Sequence, residues 1–589
     1  MEEMDIAFKR KTKWKRIFFG CFSVIFIMAA GIGIFSAVVH ANRSGNDEFD
    51  GEVDSLSSVS SISAICGRTD YRDVCVSGLS SATGPEPAGS RTKQLIRKAI
   101  VLTIVEVARV LNLTANIASA HQNFSDFRQF EALADCQELL QNEIDELSNC
   151  LSDVSGNSLR ELPNRVDELR NRLGAAMSYQ SSCIDGLTDT QVRSMMENEL
   201  VNATKLTSNA LAIVTGVASI LTDLQVDAKS SRLLAEEAIE KLQYDGKKAS
   251  TEYPCWFELK DRKLLSLHDS GKVTPNAIVA KDGSGQFKAI SAALAAMPAD
   301  YNGRYVIYVK EGIYEEQVIV TKKMKNVLMY GDGPRKTIVT GRKNYVDGTT
   351  TYRTATFAVN GDGFLAKSMG FQNTAGAAKN QAVALRVQSD RSAFLNCQVE
   401  GFQNTLYVQA HRQFYRDCVI SGTIDFIFGD AAVVLQNCSM FVRRPLDHQH
   451  NTVTAQGRTD KRSPTGIVIQ NCQIMPDAEL SPVMWRIRSY LGRPLKKYAR
   501  TVIMESTIGK VIRPQGWTPL DGSFALATLL FAEYENRGPG ANTTGRVKWK
   551  GHRLITSRTE ALKYTAINFI QGRLWLRRTH IPYALGLLN

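Results

Sequence analysis

The sequence predicts two folded domains of different class: an antiparallel helix bundle over residues 61–245 and a parallel β-helix over 273–589. Three observations predict this. Residues 61–245 carry apolar side chains at spacings of three and four with almost no glycine, as in RTKQLIRKAIVLTIVEVARVLNLTANIAS. From 273 onward the texture turns to short β-branched and aromatic runs broken by glycine. Within that second half one pattern repeats: MGFQNT, AFLNCQV, FYRDCVI, VLQNCSM and VIQNCQI. It sets a polar residue at Asn373, Asn396, Asp417, Asn437 and Asn471, at steps of roughly 20 to 35 residues, the length of one solenoid coil. A β-sandwich is the competing reading, but it needs hairpin turns, and these are scarce.

A chain of 589 residues is too long for one ordinary domain, and a hydrophobic content of 44% supplies packed cores. The formal net charge of +12 favours an acidic partner: an anionic membrane, an acidic polysaccharide or nucleic acid. No zinc-finger spacing or RNA-recognition aromatic motif appears, which makes nucleic acid the weakest of the three. No ligand cluster implies a metal, and no cofactor motif is present.

In chain order, residues 1–16 form a basic tail with Lys9, Arg10, Lys11, Lys13, Lys15 and Arg16. Residues 17–39 carry no charge and are long enough to cross a bilayer as a helix. The basic flank should hold the N-terminus in the cytosol, so everything beyond residue 40 is expected to be lumenal or extracellular. Val39-His40-Ala41 resembles a weak signal-peptidase site, so a cleaved signal and a retained type II anchor both stay open. Eleven cysteines without a C-x-x-C pair fit that compartment and favour disulfides. Sequons at Asn42, Asn112, Asn123, Asn202 and Asn542 are compatible with glycosylation. Residues 40–60 read as a polar stalk and 246–272 as a charged linker. In the solenoid, four repeats carry a cysteine after the polar step: Cys397, Cys418, Cys438 and Cys472. Neighbouring coils would bring these together, and the expected bridges are Cys397–Cys418 and Cys438–Cys472.

One stretch concentrates chemistry. Residues 401–429, GFQNTLYVQAHRQFYRDCVISGTIDFIFG, hold Gln403, Asn404 and Asp425 among aromatics. One carboxylate and two amides could form a hydrolytic site on a sheet surface. Taken singly, Asn404 would be a turn residue and Asp425 a capped loop end.

Two resemblances sharpen this reading. The cysteine frame ISAICGRTDYRDVC, ALADCQELL and SYQSSCIDGL resembles the plant invertase and pectin methylesterase inhibitor family, a disulfide-stapled four-helix bundle. The resemblance implies the pairs Cys66–Cys75 and Cys136–Cys183 and leaves Cys150 unassigned. Leu173 stands where that family often has tryptophan. In the linker, Arg262-Lys263-Leu264-Leu265 resembles the dibasic site at which a protease cuts such a pro-region from its enzyme.

Residues 276–589 are similar to plant pectin methylesterases throughout. The landmarks include VAKDGSGQFKAI, GIYEE, TYRTATFAV, QAVALR, GFQNTLY, DFIFG, TAQGR and YLGRP. This resemblance implies a right-handed parallel β-helix that removes methyl groups from pectin in the cell wall, with no cofactor. It implies Asp425 as nucleophile and Arg493 as the arginine that orients it. It also implies Gln381 and Gln403 as oxyanion donors and Thr351 as a substrate contact. Phe402 and Phe426 are expected to offer stacking faces to the sugar. The departures matter as much. Asn404 replaces the aspartate that serves the family as acid and base, and an amide has no proton to exchange near neutral pH. Leu495 and Leu520 replace tryptophans, the first at the sugar-binding surface, and Asn380 replaces a common histidine. The two resulting expectations are a slow or impaired esterase and a pectin-binding carrier of the inhibitor-like domain without turnover.

Overall fold

A computed structural model describes residues 62–80, 88–120, 127–228 and 274–588. The expectations for the tail, the apolar segment 17–39, the stalk and the linker with Arg262, Lys263, Leu264 and Leu265 lie outside these residues.

The first half is helical. Two short helices, α1 (Ile62–Cys66) and α2 (Arg72–Leu79), precede four long ones: α3 (Ala88–Ala120), α4 (Phe127–Gly156), α5 (Leu162–Gly186) and α6 (Thr190–Ala228). Their apolar residues recur once per turn and face inward. On α4, Leu133, Cys136, Leu140 and Leu147 are fully buried. Pro163 lies in the first turn of α5, where its missing N–H costs nothing. Disulfides join Cys66 to Cys75 and Cys136 to Cys183, the second tying α4 to α5. Leu173 is buried on α5, so a core residue stands at that position. Segments 91–119 and 190–221 are long and apolar enough to cross a membrane by length and composition. Here Ile100, Val107, Leu211 and Val214 bury their apolar faces in the bundle instead.

The second half coils into three parallel sheets of 11, 7 and 8 strands. In each sheet a strand pairs with its counterpart one coil away, which is the parallel β-helix. Aromatic rings pack along its interior: the Phe357 and Phe371 ring centroids lie 4.9 Å apart edge to face, and Phe394 and Tyr415 stack 4.7 Å apart with nearly parallel planes. The seven-stranded sheet matters most here. It consists of β1 (Val318–Val320), β2 (Phe357–Val359), β3 (Leu385–Val387), β4 (Leu406–Val408), β5 (Ile427–Gly429), β6 (Asn451–Gln456) and β7 (Ser489–Pro494), in that spatial order.

The polar repeat marks one corner of the coil. Asn396, Asp417, Asn437 and Asn471 all take left-handed backbone angles, φ between 50° and 56°, which asparagine and aspartate tolerate. Asn437 donates to Asp417 (2.6 Å), the side-chain ladder expected of stacked coils. Asn373 does not belong to this row. The coil above contributes Ser368 (φ 55°), whose hydroxyl accepts from Asn396 at 3.0 Å. Pairing of Leu395 with Lys367 fixes that register.

The expected bridges Cys397–Cys418 and Cys438–Cys472 do not form. All four residues are buried free thiols, as is Cys150. The reason is geometric. Coils repeat about 4.8 Å apart with side chains parallel, whereas a disulfide needs Cβ atoms about 3.5–4.5 Å apart and converging. The four thiols instead stack as a row in the core, the Cys438 amide donating to Cys472 Sγ (3.2 Å). Burial pushes the Cys418 and Cys472 thiols well up.

Candidate active site

The pairing of Leu406 with Ile427 sets Asn404 and Asp425 at the same corner of adjacent coils, just ahead of β4 and β5. Both adopt left-handed backbone angles, φ 62° and 50°. The Asn404 amide donates to the Ile424 carbonyl at 3.0 Å, which stitches the two corners together. The next coil brings Thr452 on β6 to the opposite flank of Asp425. Its hydroxyl lies 2.6 Å from Asp425 Oδ1 and accepts the Asp425 amide at 2.8 Å. From β7, Arg493 reaches back across β6 and grips the carboxylate with a two-pronged fork, Nε to Oδ1 at 2.8 Å and Nη2 to Oδ2 at 2.7 Å. Burial pulls the Arg493 pKa down, but the Asp425 charge more than offsets this and raises it. Asp425 is only 5% exposed and Asn404 6%.

The two glutamines flank this pair on the N-terminal side. Gln381 is half-buried, and its Oε1 is enclosed with no hydrogen-bond partner, so that end of its amide is uncommitted. Gln403, one residue before Asn404, is also half-buried, and its carbonyl accepts the Ala382 amide at 3.1 Å. Thr351 opens a short 3-10 turn, Thr351–Thr354. Leu495 packs with Tyr407 against a small apolar cluster of Ala355, Ala358, Val383, Phe428 and Ala455 on the outer face of the sheet. Leu520 is exposed elsewhere, and Asn380 (φ 54°) ends the turn at Ala377–Lys379.

Of the two expected stacking faces, Phe426 is not one. It is fully buried in the β-helix core, because successive residues of an extended chain point to opposite faces and its neighbour Asp425 points outward. Phe402 is half-buried, with the Arg443 guanidinium 4.0 Å above its ring, so one face is already taken. The other aromatic pair on this face, Tyr407 and Phe428, stacks 4.2 Å apart but is already covered, Phe428 buried and Tyr407 half-buried. Sequence reading also misses Thr452, which meets Asp425 only through coil register. It misses His450 as well, two residues earlier. The His450 ring lies edge-on to Tyr490 at 5.9 Å, and its Nε2 is buried without a partner. Burial, Arg493 and Arg488 hold its pKa below the ordinary value, while Asp425 pulls the other way.

The helix bundle sits on this surface. On α5, Ser182 Oγ lies 2.9 Å from the Tyr407 hydroxyl, Ser178 donates to the Gln409 carbonyl (2.7 Å), and Asp185 pairs with Lys496 at 2.6 Å. Farther along, Glu168 bridges Arg391 and Arg412, each at 2.7 Å. Burial raises the Asp390 carboxyl, yet Arg412 outweighs it and holds Asp390 far below the usual range. From α4, Asp135 accepts from Thr350 and pairs with Arg353, both at 2.5 Å. Burial dominates at Asp135 and pushes its carboxyl up to about 7 despite Arg353. Thus α5 lies against the outer face of the sheet at Tyr407 and Gln409, while α4 clamps the turn that begins at Thr351.

Fold and site together define a two-domain protein, a right-handed parallel β-helix capped by a disulfide-linked inhibitor-type bundle. Residues 276–573 match the family Pectinesterase, and residues 60–213 match Plant invertase/pectin methylesterase inhibitor. The chain belongs to the pectinesterase family. It is 40% identical to the putative pectinesterase/pectinesterase inhibitor 45 of Arabidopsis thaliana, over 100% of this chain and 98% of that one. It is 42% identical to pectinesterase 1 of Citrus sinensis, over 98% of this chain and 96% of the relative. The solved pectin methylesterase from carrot is 55% identical and aligns with a TM-score of 0.54, covering 54% of this chain and 100% of its own.

Proposed function

We propose that this chain is a cell-wall pectin methylesterase of reduced catalytic power, made as a precursor whose helical domain closes the groove. The observation that carries this reading is the Arg493 fork on Asp425. It sets a fixed positive charge against both carboxylate oxygens and aims them, as a nucleophile requires. Attack by an Asp425 oxygen on the ester carbonyl carbon forms the new C–O bond, and the carbonyl π pair moves onto oxygen. Gln381 and Gln403 are the donors for that oxyanion, neutral groups that do not neutralise the nucleophile beforehand. Collapse expels methoxide, which takes a proton to leave as methanol. Water then opens the anhydride and regenerates Asp425. In the usual scheme of the family a carboxyl group at position 404 handles both protons. Asn404 cannot, so they pass through solvent, and the loss of a positioned acid–base costs roughly 10²–10⁴-fold in rate.

A second reading, a pectin-binding protein without turnover, is favoured by the same Asn404 amide and by the docking of α5 on the sheet at Tyr407 and Gln409. Methanol release from highly methylated pectin by the purified chain, before and after protease treatment of the linker, separates the two. Slow release that increases after cleavage supports the esterase. No release in either form, while Asn404→Asp is active, assigns the binding role. For its location, we propose entry to the secretory route through residues 17–39 and cleavage near Leu265. Finding only full-length chain in the wall counts against the cleavage.

A further inference from the structure

On the C-terminal side of Asp425 the groove is bordered by the loop that leads into β7, the strand carrying Arg493. In this loop Trp485 is 60% exposed, although a large indole rarely is. Arg486 and Arg488 beside it are exposed as well. A second loop brings Lys510, whose Nζ lies 5.1 Å from the Trp485 ring centroid. Arg513 ties the two loops together: its Nη2 donates to the Trp485 carbonyl at 2.6 Å and its amide to the Ser489 carbonyl at 3.0 Å. Among the described residues none of Arg486, Arg488, Lys510 and Arg513 is paired with a carboxylate. Four like charges on two adjoining loops repel one another and the exposed indole stays wet, an arrangement that costs energy until an anionic, flat-faced ligand fills it. The patch also belongs to the nucleophile's surroundings, since Arg488 and Arg493 both bear on the charge of His450.

We propose that Trp485, Arg486, Arg488 and Lys510 form a binding site for a run of de-esterified galacturonate. The proposal rests on the pectinesterase reading of the adjacent groove. The carbon-hydrogen face of a sugar ring covers the indole, and free carboxylates along the polymer pair with the guanidinium and ammonium groups. Methylated stretches carry no charge and gain only the stacking. The site therefore takes the reaction's own product and sets the next ester beside an already de-esterified stretch. Trp485 is exposed with the bundle in place, so the closed precursor also holds acidic wall polymer before its groove opens.

The test measures binding of the full-length protein to polygalacturonate, which contains no ester to turn over. The variants are Trp485→Ala, the pair Arg486→Gln/Arg488→Gln, and a charge-matched control, Lys323→Gln/Lys325→Gln, on an exposed turn at the far end of the β-helix. Trp485→Ala and the arginine pair are each expected to weaken binding about tenfold, and the arginine pair to flatten its salt dependence. The lysine control should bind nearly as the parent does. Equal losses in all variants, no loss in any, or no binding by the parent would each overturn the proposal. Methanol release by the same parent sample reports separately on the esterase. Trp485-dependent binding without methanol keeps the site and sinks the enzyme reading, and methanol with Trp485-independent binding does the reverse.

Discussion

Asp425 and Asn404 sit at one corner of adjacent coils and differ in what they can do with a proton. Replacing Asp425 by Asn leaves the Arg493 fork with a neutral partner and removes the charge of the proposed nucleophile. Methanol release should fall to background, and unchanged release would refute the nucleophile assignment. Replacing Asn404 by Asp supplies a titratable group beside the proposed nucleophile and should raise the rate by about 10²–10⁴-fold. A change of less than threefold would show that another step limits turnover. A third residue makes a stability prediction. Asp430, just after β5, is enclosed; burial raises its carboxyl from 3.8 to about 7, although Thr465 and Gln456 hydrogen-bond one of its oxygens. The folded state thus holds this proton across the interval in which an unfolded carboxyl releases it. The contribution to stability is full below 3.8 and is lost as pH rises through 7. Asp430→Asn should therefore raise Tm more at pH 8 than at pH 5, and an equal shift at both would contradict the assignment.

At the scale of elements, the coil repeat explains both the success and the failure of reading cysteines from spacing. In the bundle, Cys136 and Cys183 lie on two helices whose side chains face each other, so a bridge closes. In the β-helix, Cys397, Cys418, Cys438 and Cys472 are equivalent positions in a stack, with parallel side chains and no converging pair. Peptide mapping after alkylation of the unfolded, unreduced protein should find these four and Cys150 as free thiols. Recovery of a Cys397–Cys418 or Cys438–Cys472 peptide would overturn the row. The same regularity made the corner visible in the sequence at Asn396, Asp417, Asn437 and Asn471. It misled at Asn373, because that asparagine ends the next strand instead of turning the corner. Phe426 was equally misleading: an aromatic next to Asp425 reads as a sugar platform until strand alternation turns it into the core.

Across the whole molecule, the bundle is held on the groove mainly by charged groups. Glu168 has three guanidinium partners, Arg391 and Arg412 in contact and Arg172 on its own helix at 3.4 Å. Breaking a partly buried charge network by removing its shared acid leaves several guanidinium groups uncompensated, at a cost of several kcal/mol. Glu168→Arg should loosen the docked bundle in the uncut chain. Faster hydrogen exchange at Tyr407 and Gln409, together with increased methanol release, would report it. Protection equal to the parent would mean that the apolar and hydroxyl contacts of α5 suffice.

Much of this protein can be read from its residues alone. The change from a three-to-four spacing to short β runs separates bundle from solenoid, because each periodicity buries a different face. Ordered motifs such as GFQNTLY, DFIFG and YLGRP mark Asp425, Arg493 and the asparagine at 404, since those residues lie inside contiguous segments. Contacts between segments are another matter. Thr452 meets Asp425 across 27 residues and Asp185 meets Lys496 across 311. Both meetings are set by coil register and by the docking of one domain on another. Neither leaves a local periodic trace, so only the packed chain could reveal that the bundle lies against the seven-stranded sheet.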